Sequence, residues 1–105
     1  MANPWRGDVA LTIDGQVEVM RLTLGALAEL EAKLAVGSLV ELVERFESNA
    51  FSSADMLALL EAGLKGGKSA VTRETLLAAD IEGGPMAAAR AAAELLARAF
   101  VVPEE

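Results

Sequence analysis

Large apolar residues fall at every second position at Val9, Leu11 and Ile13, and after Asp14-Gly15 the alternation resumes at Val17 and Val19. Successive side chains of a strand point to opposite faces, so this period-two pattern around an Asp-Gly dipeptide predicts a β-hairpin over residues 9–22. Gly15 supplies the left-handed φ that such a turn requires. Two loop lengths fit. A two-residue loop sets Leu11 opposite Glu18 and Val9 opposite Met20. A three-residue loop of Ile13, Asp14 and Gly15 sets Leu11 opposite Val17 and Val9 opposite Val19. The second register gathers aliphatic residues on one face and is the predicted one.

After Thr23 the period becomes helical. Thr23 caps a helix of about 24–35, with Leu24, Leu27, Leu30, Glu31 and Leu34 along one stripe and Glu29 and Lys33 four apart on its outer side. Gly37 ends it. Ser38 and Glu41 then form a capping box for a helix of about 39–48, with Leu39, Leu42, Val43 and Phe46 facing inward. A break at residues 48–50 precedes a helix of about 53–65, opened by Ser52 or Ser53, built on Met56, Leu57, Leu60 and Leu64, and closed by Gly66 and Gly67. Thr72 caps a helix of about 73–82 using Leu76, Leu77 and Ile81. Gly83 and Gly84 stop it, and Pro85 starts the last helix, about 85–100, with Ala88, Ala92, Leu95, Leu96 and Phe100 inward.

The expected fold class is therefore α+β: an N-terminal β-hairpin followed by a bundle of four to five short helices, in one domain over residues 1–105. A lone hairpin is marginal in water, so its apolar face must pack on the helices or on a partner's strand.

Composition narrows the function classes. The chain is 53% hydrophobic with a net charge of −7, and its basic residues are scattered, so it lacks the cationic face that neutralises phosphates. Neither nucleic acid nor an anionic membrane is an expected partner. No apolar stretch reaches the ~20 residues that cross a bilayer. Residues 1–8 lack a basic start followed by an apolar run, so no secretory signal is visible, and the absence of Cys fits a reducing cytoplasm, the expected location.

Catalytic chemistry has little to work with. His, Cys and Tyr are all absent, which removes the commonest general base, the thiolate and the phenol. Glu29 and Glu31 point to different helix faces; Glu41 and Glu44 share one, as two solvated glutamates outside a bundle would. No metal site is expected without His or Cys, and a single Asp-Gly turn is no calcium cluster. The Met residues at 20, 56 and 86 read as core fillers. The run 63–69, Gly-Leu-Lys-Gly-Gly-Lys-Ser, looks like a phosphate-binding loop, but the motif needs glycine at 62, where Ala62 stands, and this run ends a helix rather than opening one. It reads as a helix terminus with lysines near the dipole's negative end. No enzyme and no cofactor is expected. Trp5 and Phe51, both in loop positions, are the candidate partner-binding residues, since aromatics dominate binding hot spots.

The stretch 9–31 carries a resemblance. It resembles the opening of the gene-transfer-agent family of phage tail assembly chaperones, whose hairpin is followed by a pattern that Leu22, Thr23, Gly25, Ala26, Leu27, Leu30 and Glu31 match in place. Leu60 to Leu64 with the following double glycine, and Leu95 to Phe100, are similar to later parts of that family. The resemblance implies an assembly chaperone that shields the hydrophobic helices of a tape-measure protein while a phage or gene-transfer-agent tail polymerises. A structural tail (tube) component is the alternative it implies.

Overall fold

The computed structural model describes residues 8–33 and 39–99. Within them lie two antiparallel strands, β1 (Val9–Ile13) and β2 (Gln16–Met20), then five helices: α1 (Leu24–Lys33), α2 (Leu39–Glu47), α3 (Ser53–Gly66), α4 (Arg73–Ala78) and α5 (Gly84–Ala99). This is an α+β fold of a hairpin followed by a helical bundle. Trp5, Leu34, Gly37, Ser38 and Phe100, each assigned a role from the sequence, lie outside the described residues.

The hairpin register differs from the expected one. Val9 pairs with Met20, Leu11 with Glu18 and Ile13 with Gln16, which leaves a two-residue loop. Asp14 and Gly15 both take positive φ, 52° and 81°, as a type I′ turn requires. That turn follows the natural twist of paired strands, and it outweighs the gain from gathering valines on one face. The inner face is Val9, Leu11, Ile13 and Met20, all buried, while Val17 is 68% exposed. α5 covers β1 and α3 covers β2.

α4 also ends earlier than expected, at Ala78. The residues after it turn extended and join the hairpin: Ile81 forms an antiparallel bridge with Ile13. Asp14 N–H donates to Asp80 O (2.8 Å), Glu82 N–H donates to Thr12 O (3.1 Å), and Asp80 N–H donates to Asp14 Oδ1 (2.8 Å). These bonds occupy groups on the outer edge of β1, which is a stronger claim on the chain than one more helical turn.

The helix caps follow the sequence closely. Thr23 Oγ1 accepts from Ala26 N–H, and Thr72 Oγ1 accepts from Thr75 N–H, at 3.1 Å each. Ser52 opens α3 through a reciprocal box with Asp55. Three inward assignments fail, those of Leu24, Leu77 and Met86. Leu24 is 84% exposed, because the buried side of α1 is set by Ala26 and Leu30, with Leu27 partly covered, and Leu24 lies about 120° around the helix from that line. Leu77 is 63% exposed, since a helix of this length presents only Leu76 to the core. Met86, read as a core filler, is 73% exposed on the first turn of α5, whose buried line is Ala88, Ala91, Ala92, Leu95 and Leu96. Glu29 and Lys33 pair across helices instead of with each other: Lys65 Nζ meets Glu29 (2.9 Å) and Lys33 Nζ meets Glu61 (3.8 Å), tying α1 to α3.

Candidate functional site

The glycine-lysine run is a helix terminus. Lys68 N–H donates to Lys65 O and Ser69 N–H to Leu64 O, with Lys68 itself left-handed at φ 63°, the two bonds of a Schellman motif. The amides that would cradle a phosphate are thus spent on helix carbonyls, and Ser69 Oγ donates to Glu18 Oε1 at 2.7 Å. The glycines serve packing. A Cβ on Gly66 would come within 2.0 Å of Arg21 O, and one on Gly67 within 2.1 Å of Val19 O. Only glycine lets the end of α3 lie against the backbone of β2, where Arg21 N–H donates to Gly63 O at 2.9 Å.

Two apolar grooves open among the described residues. One, of about 370 Å³, runs between α3, α4 and the start of α5, and is lined by Met56, Leu57, Leu60, Leu76, Leu77 and Ile81 among others. The other, of about 530 Å³, lies between α2 and α5 and is walled by Val40, Val43 and Phe46 on one side and Ala93, Leu96 and Ala97 on the other. Val40 is 65% exposed at its edge. Burial of such surface is worth roughly 25 cal/mol per Å², so each groove favours an apolar occupant.

α2 owes its position to side chains. Leu42 and Phe46 are buried, and Phe46 stacks on Phe51 with ring centroids 4.3 Å apart. Phe51, expected from the sequence to be a loop aromatic, is accordingly half-buried against the core. Arg45 Nη1 donates to both carboxylate oxygens of Asp55 at 2.8 Å, linking α2 to the first turn of α3. Burial pushes the Asp55 carboxyl up, but the Ser52 amide and the Arg45 guanidinium together outweigh it and hold the group below the usual carboxylate range. At the start of β1, Asp8 is buried with Arg21 Nε 2.7 Å from its carboxylate, and Arg98 Nη1 donates to its carbonyl at 2.5 Å.

Sequence reasoning placed Leu42, Val43 and Phe46 correctly on the inner side of α2 but overlooked Val40. Its signal was available: a valine among Glu41, Glu44 and Glu47 on an otherwise charged side. Among the described residues no group of three or more His, Cys, Asp or Glu could hold a metal ion, and no helix is long and apolar enough to cross a membrane.

The fold defines a hairpin-led α+β domain whose described surface offers apolar grooves and no cluster of reactive side chains. Residues 6–101, more than nine-tenths of the chain, match the family described as "Phage tail tube protein, GTA-gp10". The chain belongs to that family, and it is a phage or gene-transfer-agent tail protein. No curated protein and no solved structure matches it.

Proposed function

We propose that this tail protein is a non-enzymatic assembly chaperone, acting in the cytoplasm, that holds apolar helical segments of the tape-measure protein during tail morphogenesis. The observation that carries the reading is the pair of open apolar grooves on a domain that has a full core of its own. Val40, Leu77 and Met86 stand largely exposed, an arrangement that suits transient cover of another protein's hydrophobic surface. Trp5 and Phe51 serve as aromatic anchors, with Phe51 contributing through the part its stack on Phe46 leaves open. The net charge of −7 argues against nucleic acid or membrane as the partner.

The test is co-expression of the tape-measure protein with and without this chain. Soluble complex only in its presence supports the reading; equal solubility alone and no recovered complex defeats it. Trp5→Ala should weaken the complex with an unchanged fold. Phe51→Ala should weaken it too, with far-UV circular dichroism checking that α2 persists.

A second reading, a structural component of the tail tube, is favoured by the family's own description. Sedimentation of the purified protein separates the two: rings or tubes formed by the chain alone support the structural role.

A further inference from the structure

The groove between α2 and α5 has walls of one kind and an acidic residue, Glu47, on its α2 side. Both walls are helices, whose backbone groups along the groove are bonded internally, so no free strand edge is available there to pair with an incoming strand. A third helix, satisfied within itself, can seat its side chains between Val40, Val43 and Phe46 on one wall and Ala93, Leu96 and Ala97 on the other. Glu47 lines the groove, and exposed Glu44, about 40° around the helix from Val40, stands just outside it on the side of α2 that carries Glu41 and Ser48. Neither Glu44 nor Glu47 has an ion pair among the described residues, and Arg45, which lies between them in sequence, is engaged by Asp55. Among the described residues α2 is held to its neighbours through side chains, Leu42, Phe46 and Arg45, and its Val40–Val43 face stays open to an occupant.

We infer that the α2–α5 groove takes an amphipathic helix of a partner protein whose apolar stripe is bordered by Lys or Arg facing Glu44 and Glu47. The inference deepens the chaperone reading by assigning the groove and the chemistry of the helix it holds. The groove between α3, α4 and α5 remains a separate surface, bordered by Ser53 and Asp80.

Two labelled helix-forming peptides of about five turns test it, one with leucines at i, i+3, i+4 and i+7 flanked by lysines, the other with glutamates in place of the lysines. Binding is followed by fluorescence anisotropy at about 50 and about 300 mM salt. The lysine peptide should bind at least about tenfold tighter than the glutamate peptide, and added salt should narrow the gap. The double variant Glu44→Lys, Glu47→Lys should reverse the preference, and Val40→Asp should weaken binding of the lysine peptide; all three positions are exposed, so the fold should persist. Equal binding of both peptides, a preference indifferent to the charge reversal, or binding untouched by Val40→Asp overturns the inference. So does a dimer of this chain that excludes the peptide and dissociates with Val40→Asp, because a second copy is then the occupant. Failure of the wild type to bind either peptide overturns it as well. A tape-measure complex unaffected by Val40→Asp leaves the chaperone reading standing and removes this groove from it. A reversible charge preference without any tape-measure complex does the opposite.

Discussion

At the seam between β2 and α3, main chain meets main chain: Gly66 and Gly67 lie against the carbonyls of Arg21 and Val19, and Arg21 donates across to Gly63. At α2, contact passes through side chains: Leu42, Phe46 on Phe51, and Arg45 on Asp55. The seam has no room for an added atom, so its geometry is all or nothing. The α2 attachment is a sum of separable contacts, each of which can weaken while the others hold. A chain built this way keeps a hairpin-bearing core and carries one wall of the α2–α5 groove on the element expected to yield locally first.

The contrast breaks most visibly at the glycines. Gly66→Ala or Gly67→Ala should cost about 3 kcal/mol or more, because the added carbon meets backbone oxygen that cannot swing aside. A urea midpoint near wild type for either variant would show the seam to be compliant. Leu42→Ala should cost less, about 2 kcal/mol, since the neighbouring groove lets α2 settle around the missing volume. Hydrogen exchange should then show α2 amides losing protection while those of β1 and α5 keep theirs; uniform loss would mean that α2 is part of the same cooperative unit as the seam.

Smaller effects sharpen the same division. Ser52→Ala removes one half of the capping box and should cost about 1 kcal/mol. Asp55 has its folded pKa lowered, so its contribution is present above the unfolded value near 4 and fades as pH falls through the folded value. Asp55→Asn should lower stability at neutral pH and flatten that part of the acid limb, read from urea midpoints across pH 2.5 to about 6. Smallest of all is the exposed pair of Lys65 and Glu29, where each group favours its charged form through their mutual hydrogen bond. Lys65→Gln should leave the unfolding midpoint within error, because solvent screens such pairs.

The element order was legible because it rests on local signals. Asp14-Gly15, the caps at Thr23, Ser52 and Thr72, and the glycine stops each act within a few residues of themselves. What the sequence concealed depends on competition between signals or on how separate segments meet in space. The strand register turned on a two-residue turn against a face count that treated Val17 as inward. Ile81 has a helical phase relative to Leu77, yet it pairs with Ile13, a choice visible only once the hairpin stands beside it. The α2–α5 groove was hidden for a related reason: Val43 and Leu96 look like ordinary core positions, and the space between them exists only once α2 and α5 stand side by side. Phe51 was read as a free loop aromatic because its neighbours are polar, whereas its stacking partner Phe46 sits across the break between α2 and α3.

The bridge between Ile13 and Ile81 also bears on how the chain is made. A hairpin closes within roughly 10 μs once its residues are available. The residues that cover the outer edge of β1 come much later: Asp80 follows Asp14 by 66 positions, and Arg98 follows Asp8 by 90. At a ribosome's pace of about 10 residues per second, the first strand therefore waits several seconds for its cover. During synthesis the hairpin is an unsealed edge, open to pairing with a neighbouring nascent chain, and it is made safe only by residues 66 to 90 positions further along.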